Sequence, residues 1–394
     1  MDIAKLRAWW AHRQGLDGSL QGATPAQVLE RAGWARSVGG ANPYLTLFAR
    51  AGTSRVEAEE AQATLEIHEL PSARGCTYIL PADDFALGLT VGQGFGDEAQ
   101  IATAKKFLEV TDDELDKLNQ AVLEALSDGD KDPAALRAEL GPLVRNLGDA
   151  GKKRGLTTTL PLALGKLQSL GLIRRVAVEG RLDTQRYRYT RWDDGPFAGG
   201  ALSLEDPYVQ LARRYYGWIG PAKVEHFRWF SGLGVSATKA ALEPLGLEEL
   251  EDGWLMAPAD RDEFERFEVP AAPQYALVAN LDSLVLLRRD AASLVDAPIG
   301  GVKKDVAGAA LGSPDLENNA IVDRGRLIGL WEYDPASESI VWVTSEPPDE
   351  ELRAAVLHTE AFIRIDLQDA RSMSLDSPKA REPRIQALRA MGAT

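Results

Sequence analysis

A run of three cations followed by hydroxyl-bearing residues is the segment of this sequence best suited to bind a phosphate. Lys152, Lys153 and Arg154 are consecutive, and Thr157 and Thr158 follow them. The free N–H groups at the start of a helix favour an anion, and adjacent cations add charge-assisted hydrogen bonds. The run therefore predicts contact with the sugar–phosphate backbone of a nucleic acid. The alternative is a solvated basic helix whose charges balance acidic segments of the same chain.

The helix predicted over residues 157–170 has one apolar face and one more polar face. Leucines recur at helical spacing and form the predicted buried stripe: Leu160, Leu164, Leu167 and Leu170. The predicted open side carries small or polar residues: Thr158, Ala163, Lys166 and Ser169. An open face of this kind is where a recognition helix meets a DNA groove.

Further cations lie on two predicted hairpins. Strands predicted over residues 172–178 and 186–192 form the first hairpin, and basic residues alternate with aromatic residues in its second strand. Its predicted nucleic-acid contacts are Arg174, Arg181, Arg186 and Arg188. The turn at residues 323–326 forms the tip of the second hairpin, where Arg324 and Arg326 are candidates to contact a groove.

The charge of the whole chain and the charge of its middle have opposite signs. The chain has 44 Lys and Arg against 59 Asp and Glu, a net charge of −15, which argues against a protein that coats nucleic acid. Residues 145–191 hold eleven basic and three acidic residues, a net charge of +8. Because salt screens charges beyond about 8–10 Å, this local surplus decides whether DNA can bind.

Several classes of site are not expected. The single cysteine, Cys76, excludes an internal disulfide, and the four histidines are scattered without metal-ligand spacing. We therefore predict no metal and no cofactor. The sequence contains no stretch of 18 apolar residues and does not begin like a signal peptide, which predicts no membrane partner and a cytoplasmic location. His68 is read as a half-buried histidine, with a general acid or base as the alternative.

The predicted fold class is α+β. An order of helices followed by a hairpin occurs three times, and we interpret it as three tandem winged helices at residues 1–108, 109–198 and 199–268. Residues 269–394 are strand-rich and predict a barrel-like C-terminal domain. Three local expectations belong to this reading: an irregular segment at 41–53, a strand at 275–287 and a strand at 361–365.

Three stretches carry a resemblance to a known family. Residues 74–84, RGCTYILPADD, are similar to that family's RGTxHLVPAxD run in the first wing. Residues 213–233 resemble its third-domain stretch, and residues 318–331, NNAIVDRGRLIGLW, resemble its C-terminal hairpin. In this order they resemble the winged-helix DNA-binding domain family of bacterial crosslink-repair DNA glycosylases, of the AlkZ and YcaQ type.

The resemblance implies hydrolysis of the N-glycosidic bond of alkylated or crosslinked purines, but the family's catalytic residues are not matched. The family positions water with a Gln-x-Gln or Gln-x-Asp motif, whose outer positions fall here on Arg36 and Val38. Neither side chain orients water as glutamine or aspartate does. The family's wing histidine falls on Tyr78, and Asn42 is a substitute only in a shifted register. The catalytic residues therefore stay unassigned.

These observations predict a DNA-binding protein of the DNA-repair type. It would recognise duplex, alkylated or crosslinked DNA through a basic second winged helix, as a monomer associated with the nucleoid. One alternative is an active glycosylase that removes N7-alkylated purines. A second alternative is a winged-helix transcriptional regulator or a protein-interaction module.

Overall fold

The computed structural model describes residues 2–198, 205–296 and 315–392, and it confirms the α+β class. The N-terminal part contains four helices: α1 (Ile3–Arg13), α2 (Pro25–Ala32), α3 (Asn42–Ala51) and α4 (Arg55–Ala63). Its antiparallel sheet has three strands in the order β1 (Ala35–Arg36), β3 (Thr77–Pro81), β2 (Ile67–Pro71). Capping boxes begin α2 at Thr24 and α4 at Ser54, as their sequences favour.

The middle part is helical and ends in one hairpin. Its helices are α5 (Phe85–Gly92), α6 (Asp97–Leu108), α7 (Asp112–Ala125), α8 (Pro133–Leu140), α9 (Gly148–Lys152) and α10 (Leu160–Ser169). The hairpin pairs β4 (Ile173–Ala177) with β5 (Tyr187–Arg191). A third helical part follows, with α11 (Pro207–Ile219), α12 (Val224–Ser231), α13 (Val235–Leu242), the short strands β6 (Glu248–Glu249) and β7 (Leu255–Met256), and α14 (Pro258–Arg266).

The C-terminal part is built on an open antiparallel sheet. Its strands are β8 (Tyr275–Val278), β9 (Asn319–Asp323), β10 (Arg326–Asp334) and β11 (Ser339–Thr344), hydrogen-bonded in that order. Among the described residues β8 and β11 are edges that do not pair with each other, so the predicted barrel is wrong. Helices α15 (Ser283–Leu286), α16 (Glu350–Phe362) and α17 (Pro378–Gly392) accompany the sheet.

Three local expectations about secondary structure are also wrong. The strand expected over 275–287 ends at Val278, because the Asp282 side chain accepts a hydrogen bond from the Leu284 N–H and caps α15. The segment 41–53 is mostly helical, with Pro43 in the first turn of α3. Residues 361–365 end α16 and enter one π-helical stretch, Ile363–Leu367, instead of forming a strand.

The N-terminal and C-terminal parts share their cores. Trp9 Nε1 donates to Gly220 O at 2.8 Å, and Trp10 Nε1 donates to Pro221 O at 3.0 Å. Arg50 on α3 forms a fully buried ion pair with Asp282, at 2.8 Å. By contrast, two apolar clusters of the middle part draw only on residues between Ala104 and Tyr189. The number of winged helices and their boundaries stay predictions.

Candidate functional site

Residues 36–42 include the positions at which the resemblance places the family's catalytic motif, and we call this segment the motif loop. Arg36 Nη1 donates to Thr77 O at 2.6 Å, and its guanidinium lies 5.4 Å from the centre of the Tyr78 ring. Asn42 is 2% exposed, and its Nδ2 donates to Arg36 O at 2.7 Å. Both side chains therefore stabilise the conformation of the loop, because one N–H of the Asn42 amide and the Arg36 guanidinium donate to backbone oxygens.

A C-terminal segment covers the motif loop. Ser374 N donates to Val38 O at 3.0 Å, and Arg371 Nε donates to Gly39 O at 3.1 Å. Gly39 has a φ of +71°, and a Cβ there would lie 2.7 Å from Gln185 Cγ. Only glycine therefore fits between the loop, the β4–β5 hairpin and the C-terminal segment.

A buried carboxylate lies close to the motif loop. Glu69 on β2 is 5% exposed and accepts hydrogen bonds from Tyr187 Oη at 2.9 and 3.0 Å. Arg175 Nη1 is 3.9 Å from Glu69 Oε1. Burial raises the pKa of Glu69, while Arg175, the Tyr187 hydroxyl and Arg36 oppose the rise. A buried carboxyl with a raised pKa is typical of functional sites as well as of structural ion pairs.

His68 is more deeply buried than the sequence suggested. It is 1% exposed, its ring lies edge-on to Phe85 and Trp192, and neither ring nitrogen has a hydrogen-bond partner among the described residues. Burial, with the nearby charges of Arg174 and Arg175, lowers its pKa to about 3. The ring is therefore neutral at physiological pH and behaves as an aromatic core residue.

The run of three cations at residues 152–154 is exposed to solvent. Lys152, Lys153 and Arg154 all reach solvent at the end of α9, and Thr157 is exposed beyond them. Lys152 Nζ is 3.4 Å from Asp149 Oδ1, and that side-chain pair is 65% and 91% exposed. An ion pair so exposed is weak, so it leaves the charge of Lys152 available to a phosphate.

The hairpin arginines divide into free and paired cations. Arg186 is exposed and has no ion-pair partner among the described residues, whereas Arg188 Nε is 3.1 Å from Asp130 Oδ2. Arg181 Nε donates to Asp183 Oδ1 at 2.7 Å. Arg174 is half-buried, and burial lowers its pKa. Fewer cations of the middle part are therefore free to bind a phosphate than the number of basic residues in its sequence suggests.

Helix α10 is covered on the side that was expected to be open. Leu160, Leu164 and Leu167 are buried as predicted, but Leu170 is 40% exposed. Three residues of the expected open side are buried instead: Thr158, Ala163 and Ser169. Two helices cover α10: α7 packs beside it in the cluster that contains Ala163, and α6 packs against it with Asp97 placed directly against Gly165. Lys166 stays half-buried beside this contact.

The second predicted contact point is a packed turn. Arg324 Nη2 is 2.7 Å from Asp323 Oδ2, and Arg326 Nη1 is 2.8 Å from Glu346 Oε1. A Cβ on Gly325, whose φ is +73°, would collide with the backbone oxygen of Arg7. The tip therefore rests on α1, and its two arginines have carboxylate partners.

A cleft of about 390 Å³ separates the β4–β5 hairpin from the C-terminal segment beside the motif loop. Its lining contains three cations and three carboxylates: Arg181, Arg186 and Arg371, with Glu179, Asp183 and Asp369. Arg371 Nη2 also donates to Asp183 O at 2.7 Å, which ties the two walls together. Sequence reasoning missed Glu69 and Arg371, because each meets its partners only across more than a hundred residues of chain.

Two further findings concern the described residues alone. In residues 2–198, 205–296 and 315–392, no group of three His, Cys, Asp or Glu side chains is placed to hold a metal ion. None of the helices in those ranges is both long enough and apolar enough to cross a membrane.

Comparison with known proteins gives a match to a family and matches to solved structures. The family described as "DNA glycosylase AlkZ-like" matches residues 25–361. The DNA glycosylase AlkZ of Streptomyces sahachiroi superposes with a TM-score of 0.68 at 18% sequence identity, covering 95% of this chain and 98% of that one. At this identity the structural likeness shows a shared fold. Comparison with curated proteins finds no match.

Proposed function

We propose, from the premise that the chain belongs to the AlkZ-like DNA glycosylase family, that it is a DNA-repair protein that binds duplex DNA. The observation that carries the proposal is the exposed run Lys152, Lys153 and Arg154 in a segment whose net charge is +8. With Arg186, these cations offer phosphate contacts that no strong ion pair of the described residues occupies.

Binding without the family's chemistry is the form of this function that the motif loop supports. Arg36 and Val38 stand where the family has water-positioning residues, and neither side chain is an amide or a carboxylate. Residues 371–374 also cover the loop through hydrogen bonds to Val38 O and Gly39 O. A water molecule there would lack the oriented acceptors that attack on a sugar carbon requires.

One experiment separates binding from catalysis. The protein is incubated with duplex DNA carrying N7-alkylated purines; a gel-shift assay measures binding, and an aldehyde-reactive probe detects abasic sites in the same samples without heating. The proposal expects a retarded band and no abasic sites above those of the same duplex incubated without protein. Abasic sites that increase with time would overturn the non-catalytic form, and no retardation even at low salt would overturn DNA binding.

An active glycosylase is the second candidate, and Glu69 is the observation that favours it. This carboxyl is buried within reach of the charge of Arg36 and accepts from Tyr187. A carboxylate in a low-dielectric site can stabilise the positive charge that develops on the sugar as the base leaves. If abasic sites form, Glu69→Gln should abolish them, whereas Asp113→Asn, at an exposed ion pair outside the cation run, should leave their rate unchanged.

The monomeric state and the nucleoid location belong to the same proposal. They follow from a single DNA-binding surface on one chain, and sedimentation with and without duplex DNA tests the first of them. A complex of two chains per duplex would contradict the monomeric form.

A further inference from the structure

A turn beside the motif loop displays two large apolar side chains to solvent. Leu375 is 86% exposed and Met373 is 44% exposed. The residues that flank this apolar tip, Ser372 and Asp376, are 7% and 6% exposed. A single exposed leucine is common on protein surfaces. Two exposed apolar side chains in one turn whose flanking residues are buried indicate a binding surface.

The turn that carries the apolar tip is held in place from several sides. Ser372 N donates to Asp376 Oδ2 at 3.1 Å, and Arg384 Nη2 donates to both oxygens of Asp376, at 2.9 and 3.1 Å. Between the two apolar residues, Ser374 Oγ donates to Gln185 Oε1 at 2.8 Å. The backbone is thus fixed, and Met373 and Leu375 stay exposed because their buried neighbours hold the turn outward.

The surroundings of the apolar tip favour DNA over an apolar protein surface. Arg371 begins the same segment, and the adjoining cleft holds Arg186, which is exposed and has no ion-pair partner among the described residues, beside Arg181, which Asp183 already pairs. Arginines bind the phosphates on either side of a base step, whereas a protein interface of this size would need an apolar core that these charged neighbours do not offer. The same face continues into the basic β4–β5 hairpin.

We propose that Met373 and Leu375 insert between stacked base pairs of the bound duplex, directly in front of the motif loop. This inference rests on the proposed DNA binding and adds how the duplex is deformed. Apolar side chains that enter a base step unstack it and bend the helix, and phosphate contacts beside the step offset the cost. Here Arg186 is placed to supply such a contact.

The test uses the full chain and a short duplex that carries 2-aminopurine, a base whose fluorescence increases when it is unstacked. Saturating wild-type protein should raise the fluorescence. The double variant Met373→Ser with Leu375→Ser should lose most of this rise and bind about tenfold more weakly, equivalent to about 1.4 kcal/mol. Its salt dependence should stay that of the wild type, because no phosphate contact is removed.

The matched control removes two other exposed apolar side chains. Leu357 and Ile365 are 63% and 71% exposed on and after α16, so Leu357→Ser with Ile365→Ser tests a general loss of apolar surface. This control should keep both the fluorescence rise and the affinity.

The outcomes distinguish the two proposals. If the wild type does not bind the duplex, the proposed function fails. If it binds without a fluorescence rise, or if the Met373 and Leu375 variant behaves as the wild type, insertion is overturned while DNA binding stands. A variant that changes only the sedimentation of the protein alone would assign the apolar tip to contact between two chains and would also overturn insertion.

Discussion

The salt dependence of DNA binding offers the sharpest quantitative test of the cation run. We expect the triple variant of Lys152, Lys153 and Arg154 to alanine to bind duplex DNA more weakly, irrespective of its sequence, because phosphates carry no sequence information. Each lost phosphate contact removes about 0.9 from the slope of log binding constant against log salt. Since all three side chains are exposed, the slope should shrink by between about 1.8 and about 2.7, for two or three contacts.

The ion pair between Lys152 and Asp149 determines whether Lys152 contacts a phosphate, and therefore whether the variant loses two or three contacts. At 3.4 Å and high exposure it contributes little to stability, so Lys152 can exchange Asp149 for a phosphate. The measurement is a titration of fluorescent duplex by anisotropy at several salt concentrations. A matched control alters three cations that lie outside the basic segment 145–191: Arg55, Lys117 and Arg261.

The control changes the net charge by the same amount as the triple variant, so it separates a local contact from a general electrostatic effect. Its slope should equal that of the wild type. An unchanged slope in the Lys152, Lys153 and Arg154 variant, or an equal decrease in the control, would refute the assignment of phosphate contacts to this run.

Three predictions concern stability. Asp282→Asn should lower the free energy of unfolding by about 3–5 kcal/mol in urea denaturation, because Arg50 would be left as an uncompensated buried charge. Gly325→Ala should cost about 2–4 kcal/mol by the same assay, since a Cβ there meets the Arg7 backbone at a positive φ. The unfolded chain protonates His68 below about pH 6.5 and the folded chain only near pH 3; stability should therefore fall through this window as pH falls, by about 1.4 kcal/mol per unit from this group.

Each stability prediction has its own control. Asp149→Asn, at an exposed ion pair, should be almost neutral, and equal effects of the two aspartate changes would contradict the importance of burial. Gly253→Ala has a similar positive φ, +77°, but no neighbouring atom, so it measures backbone strain without the collision. His68→Phe should have a shallower loss of stability in acid than the wild type; identical slopes would show that His68 does not titrate in this way.

The sequence predicted the features that depend on neighbouring residues. Apolar spacing identified the buried leucines Leu160, Leu164 and Leu167. The α+β class and the family followed from element order and short motifs. These signals are local, because one buried face of a helix is set within a few residues of the chain.

Features that depend on distant contacts escaped the sequence reading. The side of α10 that was expected to be open is covered, because α6 and α7 pack against this helix in the folded chain. The expected barrel is an open sheet, and its strand β8 is shorter than predicted because Asp282 caps a helix. Glu69 and Tyr187 are 118 positions apart in the sequence, so no local pattern predicts the hydrogen bond between them.

The order of residues establishes which side chains carry charge and shows that cations are concentrated in residues 145–191. The folded chain decides which of those cations remain free, because a carboxylate such as Asp130 reaches Arg188 there. It likewise decides that residues 371–374 cover the motif loop. The physical reason is that ion pairing and burial depend on distance in space, which the order of residues does not fix until the core has packed.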